Sequence, residues 1–170
     1  LLYVRNEMGL TNVQVMVPFI RTVEEAKQVV ALLAENGLER GKDGLKLIMM
    51  CELPSNALLA NEFLEHFDGM SIGSNDMTQL TLGLDRDSGK IAALFDERDP
   101  AVLQAIEHVV KTCATRGATV SICGQAPSVY PELTRSLVEW GITSVSVSPD
   151  MIGQTRSILH QAETGMIPVS

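Results

Sequence analysis

Short apolar runs alternate with longer segments of helical character along the chain, and this alternation constrains the fold more than any other feature. The helical segments carry apolar residues at a spacing of three and four, as between Val23 and Leu33. Five runs read as strands: Val13–Val17, Leu45–Cys51, Gly69–Ile72, Thr119–Ile122 and Ser144–Val147. The pattern predicts five successive β/α units.

The segment Leu47–Cys51 indicates how the strands are arranged. Its residues are apolar at consecutive positions, which is typical of a strand covered on both faces of a parallel sheet. Parallel strands need connections that cross back over the sheet, and even the shortest one, Leu53–Asp68, has room for a helix. The units predict either part of a (β/α) barrel or an open doubly wound sheet, and composition does not choose between them.

Composition limits the size and the partners. With 170 residues, 45% of them hydrophobic, the chain suits one domain or part of one. Because Leu1–Gly9 reads like the end of a helix, we expect a piece of a longer protein. A net charge of −8 argues against nucleic acid and anionic membranes as partners. Three cysteines without a C-x-x-C pair support neither a disulfide framework nor zinc, so we expect a reducing cytoplasm.

Ligands of both architectures bind at the carboxyl ends of the strands, where this sequence places polar residues. Glu52 and Asp76 follow neighbouring runs, so their carboxylates are expected to converge on one hard cation such as Mg²⁺. Asp76 has a second interpretation as a helix N-cap, since Asp76–Gln79 has the form of a capping box. Glu52, directly after a buried strand, must be paired, metal-bound or at the solvent-exposed rim.

The segment Gly73–Asp76 joins a strand to a helix expected from Met77 onward, so its backbone N–H groups are placed to meet a phosphate. Arg86 is a candidate for a bidentate phosphate contact, and an ion pair with a neighbouring aspartate is the alternative. Arg21, after the first run, is equally ambiguous.

Cys123 stands at a strand end before a glycine, where a thiol can face a cleft. A buried packing role is the alternative, because free cysteine is among the most buried residue types. That packing role is the one expected of Cys51 and Cys113.

Three blocks at these strand ends resemble the PEP-utilising enzymes, a family that includes phosphoenolpyruvate synthase, pyruvate phosphate dikinase and enzyme I of the sugar phosphotransferase system. The blocks are Met50–Ala57, Ser71–Leu80 with Gly83–Asp87, and Ile122–Gln125. Their order and spacing fit the family over nearly the whole chain. Met16–Thr22 and Cys51–Asn56 look most like the synthase branch.

The resemblance implies a fold and a set of roles. The fold is the C-terminal part, about five β/α units, of a (β/α)₈ TIM-type barrel that binds PEP or pyruvate over residues 1–170. Cys123 becomes the acid/base at the third carbon of the substrate. The remaining site residues are Glu52 and Asp76 as Mg²⁺ ligands and Asn75, Arg86, Ser74 and Arg21 as substrate contacts.

The implied activity is a pyruvate, water dikinase, which makes phosphoenolpyruvate, AMP and phosphate from pyruvate, ATP and water. The family's phosphohistidine and ATP-binding domains have no counterpart here, so we expect the chain to need them as partners and to be inactive alone. We also expect a homo-oligomer. Three alternatives remain open: a pyruvate phosphate dikinase-like or enzyme I-like PEP phosphotransferase, a Mg²⁺-dependent aldolase or lyase acting on a pyruvate enolate, and a non-catalytic packing or dimerisation module.

Overall fold

A computed structural model describes residues 1–85, 87–124 and 126–165. Five strands form one sheet in which every neighbouring pair is parallel and the order follows the chain. The register pairs Cys51 with Ile72 and Gly73 with Cys123, so three strands end at one edge. The strands are β1 (Val15–Val17), β2 (Leu47–Cys51), β3 (Gly69–Gly73), β4 (Thr119–Cys123) and β5 (Ser144–Val145).

Helices follow the strands as the β/α alternation predicts. Their ends carry the expected signals: Thr22 caps α2 by accepting from the backbone N–H of Glu25, and Asp99 with Pro100 starts α6. The helices are α1 (Leu2–Asn6), α2 (Val23–Glu35), α3 (Pro54–Leu58), α4 (Ala60–Phe63), α5 (Ser74–Leu82), α6 (Pro100–Arg116), α7 (Ala126–Val129), α8 (Pro131–Trp140) and α9 (Ile152–Glu163). Among the described residues, no helix has the length and apolar character needed to cross a membrane.

The strand order β1-β2-β3-β4-β5 contains no reversal, which a doubly wound sheet would need. β-α-β crossover connections are right-handed in nearly all proteins, and here each one leads to the next strand on the same side of the sheet. Connections of this kind place their helices on one face of the sheet. Accordingly α6 packs against α3, α4, α5 and α8 as well as β3 and β4. The architecture is therefore a parallel sheet with one layer of helices.

The hydrophobic core fills the space between the sheet and these helices. Leu47 and Met49 of β2 and Ile106 of α6 are fully buried there. Removing a side chain of this kind to alanine costs about 2–5 kcal/mol in a well-packed core. Cys51 and Cys113 are also fully buried and belong to this layer, as expected for packing residues.

The opposite face of the sheet is less covered than the sequence suggests. Ile48 and Met50, which point away from the helices, are half-buried, and Met16 of β1 is 51% exposed. An open depression of about 420 Å³ lies on this face toward the amino ends of the strands. Within the described residues β1 and β5 each pair with one neighbour, so they are the two edges of the sheet.

Several element boundaries differ from the sequence prediction. β2 begins at Leu47 rather than Leu45, β5 ends at Val145 rather than Val147, and β3 and β4 each extend one residue further, to Gly73 and Cys123. Two other differences have identifiable reasons. β1 begins at Val15 rather than Val13, because the carbonyl of Val13 accepts a hydrogen bond from the Arg5 guanidinium. α5 begins at Ser74 rather than Met77, directly after β3. Asp76 is therefore the third residue of α5 and not its N-cap, which is Gly73.

Candidate active site

Glu52 lies directly after β2 and is only 4% exposed. The backbone N–H of Phe19 donates to its Oε1 at 2.7 Å. Burial raises the pKa of Glu52, the Phe19 N–H lowers it, and the negative charge of Asp76 raises it again. The turn is fixed by Asn56, whose Oδ1 accepts from the backbone N–H of Glu52 at 3.2 Å and whose Nδ2 donates to Ile20 O at 2.7 Å.

The loop after β1 approaches Glu52 in an unusual conformation. Phe19 has a φ of +57°, a left-handed value that a bulky residue rarely adopts. Such strain concentrates at functional sites, and here it accompanies the hydrogen bond from Phe19 to Glu52. Arg21 is exposed at the rim, 3.2 Å from a Glu25 carboxylate oxygen, and its guanidinium stands 5.1 Å from the centre of the Phe19 ring.

Asp76 and Asn75 are half-buried in the first turn of α5, where the charge of Asp76 acts on Glu52 and the Asn75 side chain lies near Gly124. Their helix comes close because Gly73 has no side chain: a Cβ there would lie 3.2 Å from the Cβ of Glu52 and 3.4 Å from its Oε2. The charge of Asp76 lies near enough to Glu52 to raise its pKa, so the two carboxyl groups share this edge.

Two carboxylates, with places left for water and substrate oxygens, fit the oxygen ligands and incomplete protein shell usual for Mg²⁺. Among the described residues, no group of three or more His, Cys, Asp or Glu side chains is gathered to hold a metal. Glu52 and Asp76 as ligands of one cation therefore stay a prediction from the sequence.

Ser74 opens α5 with a fully buried side chain. Its hydroxyl donates to the carbonyl of Cys123 at 3.1 Å, which ties α5 to the end of β4. Gly124 makes this approach possible, since a Cβ there would lie 2.3 Å from the Ser74 Oγ. With the hydroxyl used inside the fold, the backbone N–H at the start of α5 is the group of Ser74 suited to meet an anion.

Cys123 differs from the other two cysteines in its surroundings. Its thiol is half-buried, donates to Ile72 O at 3.5 Å and accepts from the Ser71 hydroxyl at 3.9 Å. Burial raises the pKa of Cys51, and it raises the pKa of Cys113 to about 12. Cys123 is consequently the one cysteine whose thiol reaches the strand-end edge.

The sequence analysis did not identify Glu97 as part of this neighbourhood. Glu97 lies in the loop before α6, is 5% exposed, and stands beside Ser74. Burial raises its pKa, the Ser74 hydroxyl lowers it, and the charge of Asp96 raises it. Asp96-Glu97-Arg98 reads as a solvated charged run, so no local signal reveals the burial.

The structure places Asp76 near Glu52, links Ser74 to Cys123, and sets the Asn75 side chain near Gly124. Arg21 lies at the rim of the same edge. Arg86, the candidate for a bidentate phosphate contact, lies outside the described residues, as does Gln125.

Comparison with known proteins matches residues 2–164 to the PEP-binding domain of PEP-utilising enzymes. The chain is 63% identical over 160 residues to a phosphoenolpyruvate synthase of Pseudomonas aeruginosa, covering 94% of this chain and 20% of that protein. It is 59% identical over 152 residues to the phosphoenolpyruvate synthase of Escherichia coli, covering 89% and 19%. A probable phosphoenolpyruvate synthase of Staphylothermus marinus is 56% identical over 162 residues, covering 94% and 19%.

These relatives are about five times as long as the chain, which spans about a fifth of their length. The family match covers nearly the whole chain and includes every strand and the strand-end residues described above. The chain belongs to the PEP-utilising enzymes, as the PEP-binding domain of that family.

Proposed function

We propose that this chain is the part of a phosphoenolpyruvate synthase that binds pyruvate or PEP together with Mg²⁺. The observation that carries the proposal is the convergence of Glu52, Asp76 and Cys123 at one edge of a parallel sheet. The reaction would convert pyruvate, ATP and water to phosphoenolpyruvate, AMP and phosphate. Similarity to several phosphoenolpyruvate synthases supports this choice within the family.

We propose further that the sheet is the C-terminal part of a (β/α)₈ barrel. Three features support it: the strand order follows the chain, β1 and β5 each have one neighbour among the described residues, and one face of β2 is left half-buried. Further strands pairing with these edges would cover that face and close the barrel. The phosphohistidine and ATP-binding domains would be partners supplied by the rest of such a protein.

Glu52 and Asp76 would hold the cation, and when bound it would offset the negative charge that grows on the oxygen as pyruvate enolises. The hydrogen bond from Phe19 fixes one oxygen of Glu52, which leaves Oε2 toward α5. Asn75, Arg86 and Arg21 are the proposed substrate contacts, and Ser74 would contribute through its backbone N–H.

Cys123 would move the proton at the third carbon of the substrate. In the direction of phosphoenolpyruvate synthesis it takes a proton from the methyl group, which requires the thiolate. The hydroxyl of Ser71 is placed to donate to that thiolate, and the carbonyl of Ile72 to accept from the thiol once the proton has arrived. The Ser71 contact therefore stabilises the thiolate of Cys123, and the Ile72 contact stabilises its thiol.

Titration of oxalate, a planar mimic of enolpyruvate, with and without Mg²⁺ tests the site in the full-length protein. Glu52→Gln and Asp76→Asn should each weaken the Mg²⁺-dependent binding, because each removes a charged ligand. Glu139→Gln is the matched control: this exposed carboxylate of α8 pairs with Arg135, and the variant should bind like the wild type. Unchanged oxalate affinity in both site variants would remove the metal from the proposal.

A dikinase-like or enzyme I-like phosphotransferase would share this site, since the domain that selects the phosphoryl donor is not in the chain. An aldolase or lyase would not need Cys123 as an acid/base. The three free cysteines suit a reducing compartment, so a cytoplasmic location is part of the proposal.

A further inference from the structure

Asn56 is a fully buried polar side chain in the first turn of α3, and it joins two loops at the strand-end edge. Its amide oxygen accepts from the backbone N–H groups of Glu52 at 3.2 Å and Leu53 at 3.0 Å, in the turn after β2. Its amide nitrogen donates to Ile20 O at 2.7 Å, in the loop after β1. Burying an amide is costly unless it is hydrogen-bonded, and here both ends of the amide are satisfied by these two loops.

The loop that Asn56 holds contacts Glu52 a second time. Ile20 is the residue after Phe19, whose backbone N–H donates to Oε1 of Glu52 at 2.7 Å. Ile20 is itself only 1% exposed, so this part of the loop is anchored in the core. Asn56 thus holds the backbone of Glu52 directly, and through the loop after β1 it also holds the carboxyl group.

Phe19 keeps its N–H on the carboxyl group under backbone strain, because its φ is +57°. A strained backbone of this kind persists only where surrounding contacts over-determine it. The next two carbonyls are both tied to α3: Asn56 donates to Ile20 O, and the Ser55 hydroxyl donates to Arg21 O at 3.0 Å. The contact from Asn56 is buried, whereas water competes for the one from Ser55. Loss of the Asn56 amide should therefore let Phe19 relax and withdraw its N–H from the carboxyl group.

We propose that Asn56 is a positioning residue for Glu52, and that it acts by keeping the N–H of Phe19 on the Glu52 carboxyl group. This contact fixes Oε1 and leaves Oε2 toward α5, the helix that carries Asp76. Hydrogen-bond partners of a metal-ligating carboxylate set its orientation, and losing one costs about 10–100-fold in metal affinity. The inference rests on the proposed function, in which Glu52 is a ligand of Mg²⁺.

Titration of oxalate with and without Mg²⁺ measures the effect on the site in the full-length protein. Asn56→Ala should weaken the Mg²⁺-dependent binding about tenfold or more, the effect usual for such a partner. If Asn56→Ala does not fold, Asn56→Leu fills nearly the same volume without an amide and takes its place. Ile106→Val is the control for lost stability: it removes a methyl group from the fully buried core of α6 and should bind oxalate like the wild type.

A second substitution tests whether Asn56 acts through the strained Phe19. Phe19→Gly keeps the backbone N–H and adopts a left-handed φ without strain. Because a glycine has no strain to release when the amide of Asn56 is lost, its N–H should stay closer to Glu52. Asn56→Ala should therefore cost about fivefold less oxalate affinity in the Phe19→Gly protein than in the wild type, which corresponds to about 1 kcal/mol. An equal loss in both proteins would overturn the inference, since a purely structural role of Asn56 predicts no such rescue.

Exchange of the Phe19 amide hydrogen with D₂O, followed by mass spectrometry without Mg²⁺, separates this inference from the proposed function. Asn56→Ala should speed this exchange about tenfold or more, because the hydrogen bond to Glu52 is lost. If exchange speeds up while oxalate affinity is unchanged in both Asn56→Ala and Glu52→Gln, Asn56 positions Glu52 and the metal role fails. Wild-type exchange in the Asn56 variants overturns the inference whatever the metal does. Weaker oxalate binding in Glu52→Gln but not in Asn56→Ala overturns it as well.

Discussion

Gly124→Ala should be among the most damaging single-methyl additions at this edge, for two reasons that add. Gly124 has a φ of +117°, which an alanine adopts only under strain of about 1–3 kcal/mol. The new Cβ would also lie 2.3 Å from the Ser74 Oγ. Because this distance is too short for two non-bonded atoms, either α5 or the end of β4 has to move. We expect a loss of about 2–6 kcal/mol in the free energy of unfolding, the sum of strain and overpacking of about 1–3 kcal/mol each.

The steric part can be separated from the backbone part by a double-mutant cycle. Ser74→Ala removes the hydroxyl, after which the nearest Ser74 atom to the new Cβ is the side-chain Cβ at 3.6 Å, an ordinary contact. Ser74→Ala alone should cost about 1 kcal/mol for the lost hydrogen bond to Cys123. The double variant should therefore be more stable than the sum of the single changes by about 1 kcal/mol or more, the range typical of coupled neighbours.

Gly117→Ala is the matched control for the double-mutant cycle. Gly117 has a positive φ of +65° but no atom within 4 Å of its Cβ position, so it should show backbone strain and no coupling to Ser74. Urea unfolding followed by circular dichroism measures all of these free energies. Additive effects of Gly124→Ala and Ser74→Ala would refute the close approach of α5 to the end of β4.

Three further outcomes are expected. Cys123 should be alkylated in the native protein, while Cys51 and Cys113 should react only after unfolding. Peptide mapping before and after addition of urea measures this, and labelling of Cys113 in the native protein would contradict its burial. Because the pKa of Glu52 is raised in the fold, the contribution of Glu52 to the free energy of unfolding is fully present below the ordinary Glu pKa of about 4.3 and is lost as pH rises through the raised value. Without Mg²⁺, Glu52→Gln should therefore unfold at higher urea than the wild type at neutral pH, with the difference vanishing in acid. The 170-residue chain alone should not turn over pyruvate and ATP. Turnover above a contamination control would refute the proposal that other domains bind ATP and carry the phosphoryl group.

The strands and their parallel order could be predicted because their signals are local. Runs such as Leu47–Cys51 and Gly69–Ile72 are bounded by polar or glycine residues, and the connections are too long for hairpins. The apolar pattern alone did not choose a sheet without reversal, because strand order depends on how the helices pack together; only the resemblance to the PEP-utilising enzymes pointed to it. The shorter β1 also escaped prediction, since its limit is set by a hydrogen bond from Arg5, ten residues before its first residue.

The site divides in the same way between local and tertiary information. Glu52, Asp76 and Cys123 could be identified because strand ends are where ligands bind in this architecture. The hydroxyl of Ser74 turns inward to the carbonyl of Cys123, and Glu97 lies buried beside it. Both facts depend on tertiary contacts across β4, α5 and the loop before α6, which no spacing in the sequence records.

Exchange of the pyruvate methyl protons with D₂O, followed by NMR in the full-length protein with Mg²⁺ present, tests the central claim most directly. Cys123→Ala should slow this exchange by about 10²–10⁴-fold, the usual contribution of one acid/base group. Its oxalate affinity should stay at the wild-type value, because oxalate needs the cation and has no proton to exchange. Cys113→Ala removes a buried thiol away from the site and should exchange at the wild-type rate. Wild-type exchange in Cys123→Ala would contradict the account and leave Cys123 a packing residue like Cys51.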